Sequence, residues 1–184
     1  LLDSEFSGKT LAELGYSSDK DKQTEAAPEL QIEDAADLTA KLEAANPDWT
    51  VGLYTSGTTG TPSRVEQTFA GLTRSVRKSD RFSDHVWAFA YNPTHFAGLQ
   101  VFFQAVLNGN PMIHIFEHAV DEIGTAIEEY GITHISATPT FYRLRLQRLE
   151  GEFVSVQRLT SGGEKFESSL RGALRDQFPN AEFR

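Results

Sequence analysis

The chain has 184 residues, of which 39% are hydrophobic and 23% charged, a balance that fits an ordinary globular domain with a core of its own. It contains no cysteine, which excludes disulfides and thiolate metal sites, and no run approaching the ~20 apolar residues of a membrane helix. The net charge of −9 is uneven: residues 1–50 hold 12 acidic and 4 basic side chains, an acidic lead-in that is a poor electrostatic match for nucleic acid. The first residues show no basic stretch followed by an apolar one, so no secretory signal is expected and a cytoplasmic setting is the default.

Residues 17–33 are polar and read as a linker, and residues 1–49 as a whole as a solvated lead-in with one helix. That helix is expected from Ile32, Ala35, Leu38 and Leu42, spaced at helical intervals, and should end near Asn46-Pro47. Short apolar runs then alternate with amphipathic stretches. Strands are predicted at Thr50 to Tyr54, Val86 to Tyr91, Pro111 to Phe116, Ile132 to Ala137 and Val154 to Leu159. Helices are predicted at Gln67 to Lys78, His95 to Leu107, Val120 to Tyr130, Thr140 to Leu149 and Lys165 to Phe178. This alternation predicts an α/β fold with a largely parallel sheet and helices packed on it, and ligands at the carboxyl ends of the strands.

The first predicted strand runs into Thr55-Ser56-Gly57-Thr58-Thr59-Gly60-Thr61-Pro62, built almost wholly of hydroxyls and glycines. Such a loop can bring backbone N–H groups and neutral hydroxyl donors close to a polyphosphate. A G-x-x-G pair alone would indicate no more than a turn, but nine residues from Tyr54 to Pro62 resemble the phosphate loop of the adenylate-forming (AMP-binding) superfamily, whose pattern is roughly [ST]-S-G-[ST]-T-G-x-P-K-G. It is not a Walker loop, whose G-x-x-x-x-G-K-[ST] run is absent. The resemblance implies that Thr55, Ser56, Gly57, Thr58, Thr59 and Gly60 hold the phosphates of ATP. The chain departs from the pattern where Ser63 replaces the lysine and Arg64 the glycine; Arg64 is a candidate for the missing positive charge.

Three further segments fit the same resemblance. Asn92-Pro93-Thr94-His95-Phe96-Ala97-Gly98 is similar to the family's Pro-x-x-His-x-x-Gly segment, which places His95, Phe96 and Gly98 at the acyl-substrate pocket. It lacks the aspartate with which amino-acid-activating members pair the substrate amine, so an acid without an α-amino group is expected. Thr138-Pro139 opens a helix as cap and first-turn proline and also resembles a segment lining the substrate tunnel. Gly162-Gly163-Glu164 signals a tight turn by itself and, by resemblance, packs against adenine.

The resemblance runs from about Thr50 to Arg184, so that residues 50–184 read as part of an AMP-binding domain. It implies an acyl- or aryl-CoA ligase that uses ATP and Mg²⁺ to join a small carboxylic acid to AMP and passes the acyl group to coenzyme A or a carrier thiol. The adenine-stacking aromatic, the Mg²⁺-binding glutamate, the ribose-binding aspartate and the catalytic lysine of the family have no counterpart before Arg184, so this segment alone is expected to be inactive. The alternative is a degenerate domain that binds nucleotide or a partner without catalysis, which the missing lysine favours.

Overall fold

The alternation of apolar runs and amphipathic stretches resolves into two sheets in the computed structural model, which describes residues 33–44, 49–55, 63–92, 94–162 and 166–184. The larger sheet has five strands: β3 (Trp87–Phe89), β4 (Met112–His114), β5 (His134–Ala137), β6 (Arg158–Ser161) and β7 (Glu182–Phe183). Their spatial order is β4-β3-β5-β6-β7 and every neighbouring pair is parallel. β5 is central and buried throughout, as expected for an uninterrupted apolar strand covered on both faces.

Successive strand residues point to opposite faces, and the two faces carry different chemistry. Ala88, Ala90, Ile135, Ala137 and Leu159 point to the main core, where they meet α4 (Val120–Tyr130), α5 (Pro139–Leu144) and α6 (Ser168–Arg175). Fully buried Ile123, Ile127, Tyr142, Leu174 and Phe178 anchor these helices, each such side chain contributing about 1.5–3 kcal/mol by its removal from water. The opposite face presents Phe89 and Tyr91 to Val101 of α3 (Phe96–Val106).

Local chemistry sets the helix ends. Gly131 ends α4 in the left-handed conformation at φ 59°, and Ile132 N–H donates back to Ile127 O at 3.1 Å. Glu122 in the first turn of α4 accepts from Ala119 N–H at 2.7 Å. Thr138 caps α5, accepting from Phe141 N–H at 3.1 Å, with Pro139 as the first helical residue, as the sequence indicates.

The second sheet is a hairpin of β1 (Thr50–Thr55) and β2 (Ser63–Thr68), antiparallel and in register from Thr50–Thr68 to Thr55–Ser63. It corrects two expectations. β1 does not belong to the parallel sheet, and the helix predicted from Gln67 is a strand followed by the short α2 (Phe69–Thr73), capped by Thr68. Trp49 stacks on Phe69 at 5.3 Å, and Phe69 meets Phe103 of α3 edge-on at 5.4 Å, which joins the hairpin to the larger sheet through α3. Helix α1 (Ala35–Ala44) docks there too, with Thr39 Oγ1 donating to Val106 O at 3.0 Å.

Two more boundaries differ. The strand expected at Val154 to Leu159 begins only at Arg158, because Phe153 and Val156 form a turn closed by Val156 N–H to Phe153 O at 3.2 Å. The short β7 was not anticipated; it pairs with β6 after α6 and completes the fifth strand.

Candidate active site

Parallel strands leave their loops at one edge of the sheet, and that edge forms a cleft here. Its floor is Tyr91 after β3, Ser136 near the end of β5, and Thr160, Ser161 and Gly162 at the end of β6. One wall is the hairpin, through Leu53, Tyr54, Val65 and Gln67; the other is α3, through His95, Phe96, Gln100 and Gln104. The open cleft has a volume of about 710 Å³, of the size that holds a small organic molecule.

Of the residues singled out in the sequence, His95, Phe96 and Gly162 line this cleft. His95 stands immediately before α3, its N–H donating to Asn92 O at 3.1 Å and its carbonyl accepting from Leu99 N–H at 3.1 Å. Gly98 lies behind it, where a Cβ would come within 2.5 Å of Asn92 O, so only glycine allows α3 to lie this close to the preceding turn. Gly162 N–H donates to Ala137 O at 3.4 Å, and a Cβ there would sit 3.6 Å from the Tyr91 hydroxyl.

Thr138 and Pro139 open α5 next to the cleft's floor without bordering the cleft itself. Arg64 lies on the hairpin, paired with Glu66 at 3.1 Å and laid across Gly52 in the space a Cβ would occupy. Thr55 closes the hairpin pairing opposite Ser63. Ser56, Gly57, Thr58, Thr59 and Gly60, with Gly163 and Glu164, lie outside the described residues.

Several lining residues escaped the sequence reading. Tyr91 shares a face with Trp87 and Phe89 at strand spacing, and Gln100 and Gln104 follow Phe96 at successive helical turns. Beneath the floor, Tyr142 is fully buried, its hydroxyl 2.8 Å from Thr160 O and 3.0 Å from Ile135 O. Burial drives its phenol pKa well up, so it stays a donor to these carbonyls. Among the described residues, no Asp, Glu, Lys or Arg lines the cleft, and no three His, Asp or Glu side chains converge as a metal site would require.

A second polar cluster occupies the amino-terminal edge of the same sheet. His134 opens β5 and stacks on His85 at 3.7 Å between ring centroids, with Trp87 at 5.0 Å from the His134 ring. Thr133 Oγ1 accepts from Val86 N–H at 2.9 Å and lies 2.8 Å from His134 Nδ1. Burial, with the nearby His85 and Arg158 charges adding to it, brings the His134 pKa down to about 4. Burial also lowers that of His85, against the pull of Asp84.

Comparison with known proteins supplies the remaining observations. The family model described as AMP-binding enzyme matches residues 4–183. A 2-succinylbenzoate–CoA ligase of Bacillus velezensis is 31% identical over 161 residues, covering 82% of this chain and 32% of that protein. The corresponding ligase of Bacillus pumilus is 35% identical over 120 residues, covering 60% of this chain and 24% of its own length. The structure of O-succinylbenzoate coenzyme A synthetase from Bacillus subtilis with ATP and magnesium ion superposes with a TM-score of 0.60 at 25% identity, over 72% of this chain and 29% of that one. The chain thus spans about a quarter to a third of the length of the curated relatives it matches.

Proposed function

The chain belongs to the AMP-binding enzyme family, and from that premise we propose that it is part of an ATP-dependent ligase that activates a small carboxylic acid as its adenylate and transfers the acyl group to a thiol, coenzyme A being the first acceptor to test. In that reaction a carboxylate oxygen attacks the α-phosphorus of ATP, pyrophosphate leaves, and the thiol sulfur then displaces AMP from the acyl carbon. The observation that carries the reading is the cleft itself. It lies at the carboxyl ends of β3, β5 and β6 and opens beside the hairpin that bears the phosphate-loop sequence, with His95 and Phe96 at its side.

In this reading the loop from Thr55 to Gly60 wraps the phosphates, Gly162, Gly163 and Glu164 flank the adenine, and the acid lies along α3 from His95 and Phe96, with Gly98 keeping that helix against its turn. Thr138 and Pro139 fix the start of α5 and hence the end of β5, where Ser136 forms part of the floor. Mg²⁺, when bound with ATP, would neutralise phosphate charge; among the described residues none forms a site for it. The chain's own contribution is positioning, holding acid and phosphate side by side in one cleft.

ATP–pyrophosphate exchange by the intact protein, with a panel of fatty and aryl acids that includes the 2-succinylbenzoate named for its relatives, tests the reading. Exchange that depends on one acid supports it. ATP binding without exchange for any acid would instead favour a nucleotide-binding domain that has lost catalysis, a reading suggested by Ser63 in place of the loop lysine. Arg64 would have to leave Glu66 to reach a phosphate. Arg64→Ala is expected to weaken ATP binding several-fold, and an unchanged Kd takes Arg64 out of the phosphate set.

A further inference from the structure

The walls of the cleft change in chemistry along its length. On α3, Gln100 lies about 7.5 Å and Gln104 about 13.5 Å beyond His95 along the helix axis. On the hairpin, Gln67 lies about 13 Å beyond the start of β2 at Ser63. Ser75 joins them at the same end, so one end of the cleft is marked by His95 and Phe96 and the other by three carboxamides and a hydroxyl.

The carboxamides are not equivalent. Gln104 is committed: its Oε1 accepts from Arg77 N–H at 3.1 Å and its Nε2 donates to Arg77 O at 3.2 Å, a two-bond clip on the segment after α2. Gln100 makes one long bond, Nε2 to Ser75 Oγ at 3.4 Å. Among the described residues, neither Gln100 Oε1 nor the Gln67 carboxamide is otherwise engaged. A carboxamide can donate and accept, so it suits a carbonyl or a hydroxyl. A hydrocarbon tail would leave it unpaired. A second carboxylate would be desolvated in a cleft whose described lining holds no cation to meet it.

We infer that Gln100, with Gln67 on the hairpin wall, reads an uncharged hydrogen-bonding group at the end of the acid opposite its activated carboxylate. The cleft then selects an aryl or acyl acid with a carbonyl or hydroxyl tail over acids with a plain hydrocarbon tail or a second carboxylate. This rests on the acid-activating reading of the same cleft.

The test uses the intact protein and three benzoates of similar shape: 4-acetylbenzoate, 4-isopropylbenzoate and terephthalate. In ATP–pyrophosphate exchange, kcat/KM for 4-acetylbenzoate is expected to exceed that of the other two by about tenfold or more. Gln100→Leu should bring the ratio to isopropylbenzoate close to one. Gln100→Glu, which keeps the shape but loses the donor, should also abolish the preference, and it serves if the leucine variant fails to fold. A preference for isopropylbenzoate or terephthalate, or a ratio unchanged in both variants, overturns the inference while leaving the ligase reading in place. Calorimetric titration of the same acids without ATP separates the two readings. Selective binding that depends on Gln100, with no exchange by any acid of the wider panel, keeps the recognition of the tail by Gln100 and removes the ligase; neither binding nor exchange across that panel overturns both.

Discussion

Two residues behind the cleft show how single atoms fix its shape. Gly98 is where α3 meets the Asn92 carbonyl, and a methyl group there has no room because the obstacle is backbone. Gly98→Ala is expected to destabilise the protein by about 1–3 kcal/mol in urea unfolding, as overpacking does, and to displace His95, three residues before it. Tyr142 acts from below, its one hydroxyl proton lying between the carbonyls of Ile135 and Thr160 on adjacent strands. Tyr142→Phe keeps the packing and loses the proton; a cost of about 1–2 kcal/mol by urea unfolding is the expected outcome. Of these two, Gly98 was legible in the sequence as part of a motif. Tyr142 was not, because an aromatic on a helix reads as core, and its hydroxyl gains meaning only when β5 and β6 are known to be neighbours.

At the scale of elements, helix α4 coincides with its prediction, since Ile123, Ala126, Ile127 and the Gly131 cap all carry the helical pattern and its stop. The errors fall where local pattern and tertiary context compete. In β2, Val65 and Gln67 alternate toward the cleft, yet the stretch from Gln67 onward also fits a helix, and pairing with β1 decides between them. Near β6, Val154 suggested a strand but is 59% exposed, in a turn whose buried members are Phe153 and Val156. The loop sequence from Thr55 to Gly60 was recognisable by resemblance, and beyond Thr55 it lies outside the described residues; the cleft was not legible, because Gln67 and Gln100 come to line it only through the fold.

The amino-terminal edge of β5 carries a prediction of its own. His134 has its pKa lowered from 6.5 to about 4 by burial, so the unfolded chain takes up a proton that the folded one refuses. Stability is therefore fully present above pH 6.5 and is lost as the pH falls from there toward 4, by at most about 3 kcal/mol for this one group. His85, lowered in the same direction, adds to the slope, while Asp84 opposes it, and Arg158 near both rings makes a further positive charge unwelcome. Thermal unfolding between pH 4 and 7 should show the midpoint falling with acidity. His134→Gln, neutral throughout, should flatten that dependence, and an equally steep profile in the variant would assign it elsewhere.

In the whole molecule, α3 is the member shared by two assemblies. Its Phe103 packs with Leu72 and Phe69 toward the hairpin, and its Val101 packs with Phe89 and Tyr91 toward the parallel sheet. Phe103→Ala is expected to cost about 3–5 kcal/mol, and hydrogen exchange should register the loss first in β1 and β2, with β5 and β6 keeping their protection. Equal loss in both sheets would show that they unfold as one unit. Trp87 borders both polar regions of the sheet, lining the cleft and lying 5.0 Å from the His134 ring. With Trp49 as its only companion in the chain, its indole is a built-in chromophore for both. Its emission is placed to change when an acid enters the cleft and again when a proton reaches the histidine pair, so one optical signal can follow two separate titrations.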